Sequence, residues 1–127
     1  AFYSENLYPY QKDQYYYYKL QYDLLRTMRL IIDTGLHYYG WSYETCFEFM
    51  KQNSEMKTDI IHKELIRYLC LPAQAVSYKI GGTILLHLRQ TCLKHGYSLK
   101  EFHKLVLSLG PCPMDDLINY VYQITGQ

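Results

Sequence analysis

The sequence predicts an all-α fold on three observations. Turn signals cut it into blocks, apolar residues recur within the blocks at helical spacing, and no stretch keeps the strict alternation of a half-buried strand. Ala1 to Leu7 reads as the end of a helix begun upstream, because it is short, uncapped and stopped by Pro9. Asp13 is a natural N-cap for a long helix to about Tyr39, with Gly40 as its stop. Leu20, Leu24, Met28, Ile31 and Gly35 define the buried stripe expected on it. Gly35 inside that stripe points to close approach of another backbone, in preference to a simple weak point in the helix. Tyr15 to Tyr18 must point all around the helix, so at least two of these rings should meet another element.

Ser42 caps a short helix through about Lys51, and after the polar break at Asn53 and Ser54 another runs from about Lys57 to Cys70. Pro72 is placed in the first turn of the next helix, where its missing N–H does no harm, so Leu71-Pro72 marks a sharp junction. That helix carries Val76, Ile80, Ile84, Leu85 and Leu88 and ends near Gly96. Gly81-Gly82 within it suggests tight helix packing. Ser98 to Glu101 is a capping box opening a helix that ends before Gly110. Pro111 and Pro113 precede a final amphipathic helix with Leu117, Tyr120 and Val121.

The 127 residues suit a single helical segment, 1–127, and a second independent domain is not expected. Thirteen Lys and Arg against twelve Asp and Glu leave a charge of +1, too little to attract a phosphate backbone, so nucleic acid is not an expected partner. No apolar run has the length of a membrane span, and the longest, near Leu30, is cut by Asp33. The sixteen Tyr suit wet cavities and interfaces as well as cores. Cys46, Cys70, Cys92 and Cys112 lack the paired spacing of a thiolate zinc site. Their even number allows three disulfide pairings, which leans towards a secreted or extracellular setting, and equally allows buried thiols.

Motifs for several chemistries are absent: there is no HExxH, GxSxG, Walker loop or GxGxxG. Arg29, Asp33 and His37 step by four along one helical face, a spacing that an ion-pair row and a catalytic pair would share. His62, His87, His95 and His103 have no converging ligands at diagnostic spacing. The richest stretch is Arg67 to Gly81. There Tyr68 ends one helix while Gln74, Ser77, Tyr78 and Gly81 take adjoining positions at the opening of the next. A tyrosine hydroxyl in that setting could donate to an oxyanion, or could equally be satisfied by a backbone carbonyl.

Arg29 to His37, Gly40-Trp41-Ser42, Arg67-Tyr68, Pro72 to Gly81, Glu101-Phe102-His103 and Gly110 to Pro113 together resemble the C-terminal part of the domain of unknown function 885 (DUF885) family. Ala73 departs from the glycine usual there, which changes backbone freedom and no reactive group. The resemblance implies the multi-helix C-terminal subdomain of a helical, zincin-like metallopeptidase. It also implies that Ala1 to Leu7 follows a Glu-Gly-Trp motif whose Glu is a zinc ligand, and that the HExxPGHH-type zinc helix lies further upstream. Zinc is thus expected on residues outside this chain, in the N-terminal part of the same protein or a companion chain, with none of its ligands here.

On the same resemblance, Tyr78 and His37 are the expected catalytic residues. Tyr78 looks like the late-helix tyrosine that steadies the tetrahedral intermediate in helical zincins such as carboxypeptidases and angiotensin-converting-enzyme-like dipeptidases. His37, held by Asp33, is expected to contact substrate or transition state. Asp33, Arg67, Tyr68, Gln74 and Lys79 are the expected peptide-substrate residues, with Gln74 and Arg67 binding peptide backbone or a terminal carboxylate. The chain would then be the C-terminal wall of a peptide-hydrolysing cleft, inactive alone. Two other readings compete with it: a non-catalytic helical interaction or structural module, and a ligand pocket lined by tyrosines.

Overall fold

Seven helices and no strand account for the regular structure among the described residues of the computed structural model, 2–7 and 13–126. They are α1 (Phe2–Glu5), α2 (Asp13–His37), α3 (Tyr43–Asn53), α4 (Thr58–Cys70), α5 (Gln74–Lys94), α6 (Leu99–Leu109) and α7 (Met114–Thr125). The stop expected at Pro9 lies outside the described residues. The chain divides into two compact units, Ala1–Ile80 and Gly81–Gln127, with α5 running from one into the other. None of the seven helices is long and apolar enough to cross a membrane.

In the first unit α2, α3 and α4 pack on one another around Met28, Ile32, Cys46, Met50, Ile61, Leu65 and Tyr68, all buried. The buried face of α2 differs from the expected stripe. Met28 and Gly35 are buried as expected, but Ile32 and Asp33 complete the face, while Leu20, Leu24 and Ile31 are exposed. The physical reason is phase: Leu25, Met28, Ile32 and Leu36 form the row that meets α3 and α4, and the neighbouring row looks outward. Glu5 of α1 receives both nitrogens of the Arg26 guanidinium, at 2.7 and 3.0 Å, a fork that fastens α1 to α2.

The end of α2 accounts for Gly35. Gly40 adopts φ +67, which turns the chain so that the Trp41 N–H returns to the Gly35 carbonyl at 2.9 Å. The same turn lays the Trp41 indole on Gly35, where a Cβ would sit 2.5 Å from the ring. Close approach is therefore the reason for this glycine, but what approaches is an indole ring and not the backbone that the sequence predicts. Ser42 caps α3 by accepting the Thr45 N–H, as the sequence predicts.

Between α4 and α5 the sequence places Pro72 inside the new helix; the structure begins the helix at Gln74. Ala73 has φ +66, a left-handed conformation that cannot continue a right-handed helix, so α5 starts at the next residue. This is the position at which the family resemblance expects glycine.

In the second unit Leu88 and Cys92 of α5, Phe102 of α6, and Leu117 and Val121 of α7 are buried. The Ser98–Glu101 capping box is formed in both directions, and Gly110 closes α6. Ser98 hydrogen bonds hold the Glu101 carboxyl below its ordinary value. Gly81 sits in ordinary contact, with room for a Cβ 3.7 Å from Met114, so tight packing does not require a glycine there.

Candidate functional site

Arg29, Asp33 and His37 share one face of α2, and each reaches across to the junction of α4 and α5 instead of pairing along its own helix. Asp33 is buried, and its Oδ1 accepts the Ala73 N–H at 3.1 Å just before α5 begins. Its Oδ2 is buried without a hydrogen-bond partner. His37 Nε2 lies 3.0 Å from the Tyr68 carbonyl. A carbonyl only accepts, so Nε2 donates, and in the neutral imidazole Nδ1 is left as an acceptor. The two side chains treat helix ends according to their chemistry: the imidazole meets an orphan carbonyl in the last turn of α4, and the carboxylate meets an amide ahead of α5. Asp33 and His37 are thus each held by a different stretch of backbone rather than by one another.

Arg29 occupies the centre. Its guanidinium carbon is 5.6 Å from the centroid of the Tyr68 ring and 5.4 Å from that of Tyr78, within cation–π range of both. Its Nη2 donates to Gln74 Oε1 at 3.2 Å, and Arg67 Nη2 donates to the same oxygen at 3.2 Å. Arg67 also lies 3.8 Å from Glu64 Oε1, while Glu64 Oε2 accepts the Tyr68 hydroxyl at 2.6 Å.

Burial, and after it the Glu64 carboxylate, push the Tyr68 phenol far above its ordinary range; Arg29 and Arg67 oppose this more weakly. Tyr68 is therefore neutral and its hydroxyl is committed to Glu64, so it offers the site a ring and a carbonyl. Tyr78 is different: 42% exposed, with a hydroxyl that makes no hydrogen bond to the described residues.

All the sequence-predicted site residues except Lys79 belong to this one network. Lys79 pairs with Asp23, on an earlier turn of α2. The sequence does not single out Arg29 as the hub or Glu64 as an anchor. Glu64 precedes Arg67 and Tyr68 by one helical turn, a spacing that could have flagged it. Arg29 reaches a residue 45 positions away, which no local pattern encodes.

Among the described residues no group of three His, Cys, Asp or Glu could hold a metal ion, so the residues present do not fit a zinc site. None of the four cysteines is in a disulfide; Cys46 and Cys92 are buried, and burial pushes both thiols up. Tyr15 to Tyr18 are all about half exposed. Tyr17 and Tyr18 line a groove of about 340 Å³ with Tyr22, Leu25, Met28 and Met56, and Tyr15 and Tyr18 line another with Glu5 of α1, so three of the four rings face another segment.

The DUF885 family, described as a bacterial protein of unknown function, matches residues 1–121. No curated protein and no solved structure matches the chain.

Proposed function

The chain belongs to the DUF885 family, and on that premise we propose that it forms the C-terminal wall of a peptide-hydrolysing cleft. Support comes from one observation. Tyr78 stands at the opening of α5 with an exposed, unengaged hydroxyl, its ring held by Arg29 within a network that also fixes His37, Asp33, Arg67 and Gln74. A hydroxyl on a ring held by a guanidinium can donate to the negative charge that develops on a scissile carbonyl oxygen. His37, oriented by the Tyr68 carbonyl, presents Nδ1 as an acceptor for a substrate N–H. Arg67 and Gln74 bind substrate beside it. Zinc, on this reading, is held by residues other than those described.

Tyr78→Phe in the full-length protein is the test. Turnover of peptide substrates should fall about a hundredfold to a thousandfold, with metal content and substrate binding unchanged. Unchanged turnover would remove the oxyanion role from Tyr78, and absence of peptide hydrolysis by the parent protein would remove the reading itself.

A further inference from the structure

The donors at the α4–α5 junction outnumber their acceptors. Arg29 and Arg67 converge on one neutral amide oxygen, each at 3.2 Å, which is long for a bond from a charged donor. No carboxylate lies within 4.0 Å of Arg29 among the described residues, and its Nε is buried without a partner. Two acids are nearby, and neither forks with a guanidinium. Glu64 reaches Arg67 only at 3.8 Å and is shared with Tyr68; Asp33 gives Oδ1 to the Ala73 amide, and its buried Oδ2 meets no donor among the described residues. Gln74 Nε2 and the Tyr78 hydroxyl make no hydrogen bond to the described residues. The Arg67 side chain is 41% exposed and Tyr78 is 42% exposed, so the donors can be reached from solvent.

Such a surface lacks an acceptor-only group with two oxygens, the complement of a guanidinium fork. We propose that Arg67 and Gln74, positioned by Arg29 beside Tyr78, form a carboxylate-binding site. Its ligand is the free C-terminal carboxylate of a peptide, an identification that rests on the cleft reading above. Arg67 and Gln74 supply the reachable donors, and Arg29 positions Gln74 and Tyr78.

The test is equilibrium binding, by titration calorimetry on the full-length protein, of an N-acetylated tripeptide against the same tripeptide amidated at its C-terminus. The free acid should bind about tenfold more tightly or better, as expected for charge-assisted hydrogen bonds. Arg67→Met should abolish the difference. Arg67→Lys keeps the charge and loses the fork, and should reduce the difference; it decides the matter if Arg67→Met does not fold. Equal binding of acid and amide, or a preference that survives both variants, overturns the site. An amidated tripeptide ending in Asp that binds as tightly as the free acid would keep the carboxylate site and overturn its C-terminal assignment. The two readings fail separately: acid preference without hydrolysis sinks the cleft and leaves the site, whereas hydrolysis without acid preference does the reverse.

Discussion

The unit Ala1–Ile80 holds helix ends locally at Gly40 and Ser42 but holds its α4–α5 junction from a distance; the unit Gly81–Gln127 holds its helix ends locally. In the second, α6 is started by Ser98 and Glu101 and stopped by Gly110, and α7 is stopped by Gly126, all within a few residues of the end they serve. In the first, the end of α4 and the start of α5 are held by His37 and Asp33, from 31 and 40 residues away. A local cap stabilises a helix wherever that helix sits. A remote one also fixes where the junction sits, and at this junction Arg67, Gln74 and Tyr78 are gathered. The difference is that between a scaffold and a site: polar groups are committed to long-range bonds where geometry must be held.

The sharpest way to break the comparison is to substitute one helical glycine in each unit. Gly35→Ala would drive a Cβ to 2.5 Å from the Trp41 indole, whose ring is too broad to step aside cheaply. Overpacking of this kind costs typically about 1–3 kcal/mol, and the better helix propensity of alanine returns up to about 1. A net loss of roughly 1–2 kcal/mol is expected in denaturant unfolding. Gly81→Ala meets only Met114, at 3.7 Å, and should be neutral or gain up to about 1 kcal/mol. Equal effects at the two positions would contradict the account of Trp41.

Removing one cap of each kind separates local from remote support. Asp33→Ala leaves the Ala73 amide unpartnered and frees the junction, at a cost of about 1–2 kcal/mol. It should also weaken peptide binding. Ser98→Ala should cost about 1 kcal/mol and leave binding alone. It carries its own pH signature. Ser98 lowers the Glu101 carboxyl from 4.5, so the folded form is favoured above that pH and the advantage is lost as pH falls through the lowered value. In Ser98→Ala the Glu101 titration followed by NMR should move only part of the way up towards 4.5, because the backbone N–H of residue 98 still donates to the carboxylate, and the acid dependence should shrink accordingly.

The same contrast governs how much is legible in the sequence. Capping residues, turn glycines and helical spacing act over a few positions, so the helices, the Ser42 and Ser98 caps and the Gly35 approach can be read from it. The direction faced by the Arg29, Asp33 and His37 row cannot, since it depends on where α4 and α5 come to lie. Their spacing puts all three on one face; it does not say that each reaches another element. The phase of the buried stripe on α2 fails for a related reason. Leu20, Leu24 and Ile31 form as regular a row as Leu25, Met28 and Ile32, and only packing chooses between them.

The smallest effect expected is at Ala73, where the two kinds of support meet. Its φ of +66 places a Cβ in the conformation L-residues avoid, at a cost of about 1–2 kcal/mol. Asp33 holds that conformation through the backbone N–H, which glycine retains. Ala73→Gly therefore removes the strain and keeps the cap, while the freer unfolded chain takes back part of the gain, leaving up to about 1 kcal/mol of added stability. Combined with Asp33→Ala, the same change should recover less than it does alone, because the strain exists only while the carboxylate holds the turn in place. Independent, additive effects of the two substitutions in a double-mutant cycle would mean that the junction keeps its shape without Asp33.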